Sequence, residues 1–355
     1  LYQVCGMEKD RGTNLVLVAV REHEPMHLRT APLIFLSTVI THLVGGSAGR
    51  EGAALQLGAA ISNKIAQALK LEPADGRILT VCGMAAAFSA LFGTPLAAAV
   101  FALEVVHVGI IQYSALVPAF LSSLIAFLLA GWLQVPPAAY VVSGLPALSP
   151  VSLVQVGAMG VLCALLSVFF CKVVHGAGKL YARYLPDLRL RAVAGGCIMV
   201  ALSLLDGGLA DQVYNGAGGG LVEAAVTGSG LGIMPWAFLV KALFTALTLG
   251  AGFRGGEIVP TFACGATFGC VVAPFLGLSP SFGGAVGTVA AFCGVTNCPL
   301  TSILLAYELF GGGGLPLFAL AIAVSYRLSG YTGLYSEQEI VYSKTDPKEI
   351  NKKAE

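Results

Sequence analysis

The chain has 355 residues, of which 56% are hydrophobic and 11% are charged, and its net charge is +1. Soluble domains carry roughly 25% charged residues, so this composition predicts an integral membrane protein. The mean hydropathy of +0.82 agrees with that class. The near-neutral charge gives no support for a nucleic-acid partner. The nine cysteines are odd in number and form no C-x-x-C pair, which favours reduced apolar side chains over a metal site.

The predicted elements are apolar stretches that follow one another with short polar connections. They run at about 31–48, 53–69, 78–106, 110–135, 151–174, 192–205, 233–251, 257–278, 282–310 and 315–326. A simple membrane-spanning helix needs about 20 apolar residues, and several of these stretches are shorter or are interrupted by Gly or Pro. This pattern is typical of discontinuous helices that end at mid-membrane. The stretch 206–232 is predicted to be a Gly-rich connection.

A polar tail follows the last apolar stretch, from residue 337 to residue 355. It contains four lysines, at positions 344, 348, 352 and 353. The positive-inside rule therefore places the tail in the cytoplasm. We divide the chain into one transmembrane domain, residues 1–336, and this short tail, residues 337–355.

An internal repeat is visible within the transmembrane domain. Three features of the first copy recur 204 residues later: Ala87-Phe88 as Ala291-Phe292, Pro95-Leu96 as Pro299-Leu300, and Glu104 as Glu308. Repeat one covers about 1–135 and repeat two about 151–336, and Glu51 in the first roughly matches Glu257 in the second. Paired, interrupted segments of this kind indicate a transporter or channel whose binding site lies at the repeat interface. Glu104 and Glu308, at the ends of apolar stretches, are interpreted as structural.

The segment Gly-Arg-Glu-Gly at residues 49–52 carries the main functional signal. It places the carboxylate of Glu51 at the start of a long apolar stretch of small residues. An ionisable group in such a segment is a functional-site candidate. A helix N-terminus also favours negative charge, whether it belongs to a side chain or to a bound anion. The pattern therefore predicts anion transport gated by a carboxylate.

These motifs resemble the CLC family of chloride channels and anion/proton antiporters along nearly the whole chain. Residues 49–52 are similar to the family's gate motif, residues 255–260 to its G-x-F-x-P segment, and residues 333–336 to the segment that offers a central tyrosine. The resemblance implies an all-α membrane protein of two inverted repeats with discontinuous helices. It also implies a homodimer in a lipid bilayer, with a prokaryotic plasma membrane as the expected location, and no cofactor. The family has helices before residue 12, so we expect that N-terminal helices are missing from this sequence.

Several departures from the family pattern bear on the transported ion. Ala53 replaces the usual Pro of the gate motif, and Val105 stands where chloride exchangers often carry a proton-transfer Glu. The acid at Glu257 and the segment at residues 11–15 resemble the fluoride/proton antiporter branch. That branch commonly has Met at Thr13 and Thr at Val259. We favour fluoride/proton exchange, with a chloride channel or a chloride/proton antiporter as the alternative.

The resemblance implies how the site residues would act. Backbone N–H groups at helix starts would bind one desolvated halide, at Gly52, Ala53, Ile258 and Val259. Hydroxyl donors would come from Tyr335 and Thr13, and Glu51 would occupy an anion position until it is protonated. Glu257 is a possible second acid, or else a helix cap or an ion-pair partner of Arg254. Tyr335 could instead be an interfacial aromatic anchor.

Other classes of protein have weaker support. Residues 45–49 match the G-x-S-x-G pattern of hydrolases, which makes an intramembrane hydrolase using Ser47 a distant alternative. That pattern needs a strand-to-helix turn with a His and an acid in reach, whereas these surroundings are an apolar helix. An organic-anion transporter of another fold is a further alternative. We expect transport rather than enzymatic catalysis.

Overall fold

The computed structural model describes residues 2, 5–7, 11–22, 26–205, 212–228 and 232–354. These residues form fourteen α-helices and three short strands. The first six helices are α1 Thr13–Glu22, α2 Thr30–Leu43, α3 Glu51–Ala68, α4 Pro73–Phe92, α5 Pro95–Glu104 and α6 Leu116–Trp132. The other eight are α7 Pro150–Tyr184, α8 Leu188–Leu205, α9 Gly219–Thr227, α10 Ala237–Gly250, α11 Ile258–Val272, α12 Pro280–Thr296, α13 Pro299–Phe310 and α14 Leu315–Leu328. The strands are β1 His107–Val108, β2 Glu339–Tyr342 and β3 Glu349–Lys353.

The helices have the lengths that a membrane protein with interrupted segments requires. Four helical stretches of the described residues are long and apolar enough to cross a membrane: Pro73–Phe92, Tyr113–Trp132, Pro150–Tyr184 and Ile258–Leu276. Several other apolar helices, such as α5 and α13, have only 10 to 17 residues. The predicted all-α membrane fold with discontinuous helices is thereby confirmed. The stretch 206–232, expected to be a connection, contains the helix α9, while residues 206–211 and 229–231 lie outside the described part.

Each repeat breaks a long apolar stretch into two helices by the same local means. After α4, Gly93 adopts φ 70°, and after α12, Asn297 adopts φ 59°, so both helices end in a left-handed residue. A proline then begins the next helix, Pro95 in α5 and Pro299 in α13. Gly and Asn tolerate the left-handed conformation, and Pro is favoured in the first helical turn. The sequence signals of the repeat are therefore stop-and-start signals for half-helices.

The two copies run in opposite directions. Glu104, at the end of α5, accepts hydrogen bonds from the backbone N–H groups of Leu300 at 3.1 Å and Thr301 at 2.9 Å, at the start of α13. Glu308, in the last turn of α13, accepts from Leu96 and Ala97 at the start of α5, both at 2.8 Å. Each helix end thus meets the other helix's beginning. The repeats are inverted, and the structural interpretation of both acids is confirmed.

Glycine pairs bring the first two helices of each repeat into close contact. A Cβ atom built on Gly58 of α3 would lie 2.2 Å from the carbonyl oxygen of Gly83 in α4. In the second repeat, a Cβ atom on Gly265 of α11 would lie 2.3 Å from the carbonyl oxygen of Gly287 in α12. Side chains cannot occupy such positions without moving the helices apart. Small residues are a common means of close helix packing in membranes.

The polar tail is an ordered hairpin that packs against the helical domain. Strand β2 pairs in parallel with β1 and antiparallel with β3. The Gln338 amide donates to the carbonyl oxygens of Val105 and Thr296, which lie just beyond or at the ends of α5 and α12. The ammonium group of Lys344 donates to Asn297 and to the carbonyl oxygen of Tyr326. The tail therefore caps helix ends from both repeats.

Candidate ion site

Two helix N-termini, one from each repeat, lie close together. The segments before α3 and α11 form a short antiparallel bridge, in which the N–H groups of Gly49 and Gly256 each donate to the other's carbonyl oxygen at 2.8 Å. The next residues, Arg50 and Glu257, are the N-caps of the two helices, with nearly equal backbone angles of φ −108°, ψ −13° and φ −105°, ψ −14°. Both helices therefore aim their free N–H groups at one region.

This geometry corrects the register of the repeat at the gate. The sequence comparison matched Glu51 with Glu257, but the structure makes Glu257 equivalent to Arg50 and Ile258 equivalent to Glu51. The error is one residue. It arose because two acids near helix starts were aligned by charge, whereas the glycine bridge determines the equivalent backbone positions.

Glu51 is fully buried, and its carboxylate lies at the N-terminus of α11. Its Oε1 atom accepts a hydrogen bond from the N–H of Val259 at 3.1 Å. Its Oε2 atom has no hydrogen-bond partner among the described residues. A Cβ atom on Gly49 would lie 2.0 Å from Oε2, and one on Gly256 would lie 2.3 Å from the carboxyl carbon. The carboxylate thus fills a glycine-lined space at the positive end of a helix.

The other predicted anion-binding residues surround the same region. Gly52 and Ala53 lie in the first turn of α3 and are buried, and Ile258 is buried in the first turn of α11. Thr13 is the first residue of α1, and its hydroxyl oxygen would lie 2.9 Å from a Cβ atom on Gly52. This contact brings the start of α1 to the start of α3.

Tyr335 is buried and lies within electrostatic range of both Glu257 and Glu51. The preceding residue, Leu334, donates its N–H to the carbonyl oxygen of Val295 in α12 at 2.9 Å, which holds this segment against α12. The phenol is therefore part of the packed interior near both acids.

Glu257 borders a cavity, whereas Glu51 is fully buried. It is half-buried and lines an open cavity of about 540 Å³. Polar neighbours in this cavity include Asn14, His175, Lys179 and Ser336. We call this cavity the tail-side vestibule, because Ala354 of the tail also lines it. Glu51 is therefore enclosed, whereas Glu257 is reached from an open cavity.

The sequence analysis missed one buried charge. Lys241 of α10 is 0% exposed, and its ammonium group donates to the Ser47 hydroxyl at 2.9 Å. The signal was present, because Lys241 is the single charged residue in the apolar stretch 233–251. An ionisable residue in such a stretch is a functional-site candidate by the same rule that selected Glu51.

The surroundings of Ser47 do not support the hydrolase alternative. Its hydroxyl contacts the hydroxyl of Thr245 at 3.1 Å and accepts from Lys241, and the serine is fully buried in the segment before α3. The hydrogen-bond partners of its hydroxyl among the described residues include no His and no acid. A nucleophile needs an activating base and access to a substrate carbonyl. Here the serine has a packing role instead.

Comparisons with known proteins show what this chain is similar to. The chain is 35% identical, over 350 residues, to a "Chloride/fluoride channel protein" from Pseudomonas syringae pv. tomato, covering 97% of this chain and 76% of that protein. An H(+)/Cl(-) exchange transporter from Vibrio cholerae is 26% identical over 81% of this chain and 64% of its own length. The crystal structure of a CLC-type fluoride/proton antiporter has a TM-score of 0.90 and 33% identity, covering 95% of this chain and 84% of that one.

A further crystal structure, of a slow cyanobacterial Cl-/H+ antiporter, has a TM-score of 0.78 with 19% identity, and it shares the fold. It covers 90% of this chain and 76% of the other. A family profile described as "Voltage gated chloride channel" matches residues 1–330. The resemblance drawn from the gate motif is confirmed. The chain belongs to the voltage gated chloride channel family, the CLC family.

Proposed function

We propose that this protein moves small halide ions across the membrane in exchange for protons. Of the two candidate ions, we favour fluoride over chloride as the one transported. The observation that carries the proposal is the Glu51 carboxylate at the N-terminus of α11, where it accepts from the Val259 N–H at 3.1 Å. Helix N-termini bind anions through free N–H groups, so a charged Glu51 and a halide compete for the same donors. The printed names of the relatives, which include a fluoride/proton antiporter, support this function.

Halide binding would depend on partial charges rather than on direct ionic ligands. N–H groups in the first turns of α3 and α11, at Gly52, Ala53, Ile258 and Val259, are the proposed donors. The hydroxyl groups of Thr13 and Tyr335 are further proposed donors. Conduction requires binding that is strong enough for entry and weak enough for release, and such donors meet both conditions.

Proton movement would be linked to halide movement through Glu51. When charged, its carboxylate fills the anion position, and when protonated it can leave that position to a halide. Glu257 is the proposed second acid, because it faces the tail-side vestibule and lies within electrostatic range of Glu51. It would exchange protons with the solution in the tail-side vestibule. Chloride exchangers often have a proton-transfer Glu at the position of Val105, and Val105 has no carboxyl group for that role.

Chloride is the alternative to fluoride as the transported halide. A chloride channel or chloride/proton antiporter is favoured by Thr13 and Val259, since the fluoride branch commonly has Met and Thr at these positions. Fluoride is favoured by Glu257, by Val105 and by the two similar proteins whose names mention fluoride.

We also propose the cellular setting of the protein. It would be a homodimer in the lipid bilayer of a prokaryotic plasma membrane, with residues 1–336 as the transport domain and residues 337–355 as a cytoplasmic tail. The bacterial relatives and the lysines of the tail support this setting. The face of α6 at Val117, Leu121 and Leu128 is more than half exposed and needs lipid or a second subunit as a neighbour.

The decisive experiment compares wild type with Glu51→Gln in liposomes. Fluoride and chloride efflux are measured with ion-selective electrodes while internal pH is followed. We expect fluoride efflux with opposing proton movement in wild type and loss of the proton movement in the variant, because the amide cannot carry a proton across. Glu223→Gln is the matched control, since Glu223 is an exposed acid of α9.

The outcomes separate the candidate functions. Chloride efflux as fast as fluoride efflux would favour the chloride alternative. A variant with unchanged proton coupling would remove Glu51 from its proposed role. Absence of flux of both ions from a folded wild-type protein would contradict halide transport.

A further inference from the structure

Lys241 is a buried cation whose hydrogen bonds are complete. Its ammonium group donates to the Ser47 hydroxyl at 2.9 Å, to the carbonyl oxygen of Tyr214 at 2.9 Å and to that of Gly216 at 2.8 Å. An ammonium group has three N–H donors, so these three acceptors match its charged form. Within the described residues, no carboxylate lies within ion-pair distance of it.

A buried charge without an opposite charge beside it is costly to retain. Leu or Met would fill the same space on α10 without that cost. The three acceptors satisfy the N–H groups but leave the net charge uncompensated. A negative charge within range would offset it.

The surrounding contacts connect Lys241 to the gate. Lys241, Thr245 and Thr248 lie on one face of α10, and all three hold Ser47, whose N–H donates to the Thr248 hydroxyl at 3.0 Å. Ser47 lies four residues before Glu51 and just before the glycine bridge. The Lys241 ammonium also lies within electrostatic range of the Glu51 carboxylate.

We propose that Lys241 is a positioning residue of the ion pathway, whose fixed positive charge balances the single negative charge at the central site. That charge is the Glu51 carboxylate in one state and a halide in the other. The exchange of one for the other then leaves the local net charge unchanged. Lys241 therefore has an opposite charge nearby in both states. This inference rests on the proposed function and adds the countercharge that the N–H donors lack.

The test separates the charge of Lys241 from its hydrogen bond to Ser47. Lys241→Met removes charge and donors, Lys241→Gln removes the charge but keeps an N–H donor, and Ser47→Ala removes one acceptor but keeps the charge. Halide KM and maximal rate are measured by liposome efflux, and halide affinity by calorimetry in detergent. We expect both neutral variants to raise KM by about tenfold, the size expected of one unit charge that acts across roughly 12 Å at an effective dielectric constant of about 20. Ser47→Ala should keep a wild-type KM.

Two results would overturn the inference: a Lys241→Gln protein with wild-type KM, or a Ser47→Ala protein whose KM rises as much as that of the neutral variants. If the neutral variants do not fold, Lys241→Arg decides, because it keeps the charge and should keep the KM, and a raised KM contradicts the inference. The proposed function is judged separately, on the wild-type protein. Wild-type halide flux with unchanged KM in the variants rejects only the inference, whereas a wild type without flux or binding rejects both.

Discussion

At the residue scale, the proposed gate depends on glycines without side chains as much as on Glu51 itself. The buried carboxylate fits between Gly49 and Gly256, and added Cβ atoms would lie 2.0 Å and 2.3 Å from its atoms. The two glycines also form the bridge between the repeats. The same backbone atoms therefore join the repeats and make room for the carboxylate.

Gly256→Ala should displace the Glu51 carboxylate from its place at α11. The new Cβ atom would overlap the carboxyl group and would lie 2.8 Å from the Gly52 nitrogen, whereas Glu51 is able to rotate away. We expect halide flux that is less tightly coupled to protons, measured as the halide-to-proton ratio in liposomes. Gly219→Ala is the control, since a Cβ atom there has no neighbour within 4 Å in the described structure. A variant with the wild-type ratio would show that the carboxylate does not need this space.

At the element scale, the half-helices α5 and α13 stabilise each other through reciprocal caps. Glu104 accepts from the first turn of α13 and Glu308 from the first turn of α5. Helix N-termini leave N–H groups without intrahelical partners, and in a membrane no water replaces them. The charge of each carboxylate also suits the positive end of the partner helix.

Glu308→Gln should lower the stability of the protein without changing its halide preference. The amide keeps one acceptor oxygen, so one N–H of Leu96 or Ala97 loses its partner, and the charge at the helix start is lost. The expected cost is about 1–3 kcal/mol, seen as a lower midpoint of thermal unfolding in detergent. Glu223→Gln, which changes the same group at an exposed site, should leave the midpoint unchanged. An equal midpoint in both variants would mean that the cap is not needed.

At the scale of the whole molecule, the tail hairpin contacts both ends of α1 close to the segment after Tyr335. Glu337 contacts Arg11 at 3.4 Å, Arg21 at 3.4 Å and the ammonium group of Lys353. The N–H of Glu337 also donates to the side chain of Asn14, which lines the tail-side vestibule. The tail therefore contacts a residue that lines the tail-side vestibule and is positioned to stabilise it.

Lys353→Gln should loosen the hairpin, because the hydrogen bond from Lys353 is the main factor that lowers the pKa of Glu337. A lowered pKa in the folded state means that this stabilisation is complete above the ordinary value of 4.5 and is lost as the pH falls through the folded pKa. Protection of the amides of residues 339–353 against hydrogen exchange, expressed relative to the intrinsic exchange rate at each pH, should be lower in the variant at pH 7 and should fall in wild type on acidification. Lys352→Gln makes the same charge change one residue away and should exchange as wild type does. Equal exchange in the two variants would contradict the role of Glu337.

Local signals in the sequence determined the membrane class, the helix breaks and the place of Glu51 at a helix start. The breaks at Gly93–Pro95 and Asn297–Pro299 follow from the backbone preferences of single residues, and the burial of Glu51 follows from its apolar neighbours. The resemblance to the CLC family rested on short motifs of the same kind. Such signals act within a few residues, so they can be recognised without knowledge of the fold.

Only the tertiary structure decided the inversion of the repeats, the match of Glu257 with Arg50, the partners of Lys241 and the docking of the tail. Glu51 and Val259 are 208 residues apart, and Lys241 and Ser47 are 194 apart. Both pairs meet because α10 packs against α11, and the segment before α3 is bridged to the segment before α11. Contacts between distant residues depend on the relative placement of whole helices, and that placement is set by the packing of all helices together rather than by any one segment.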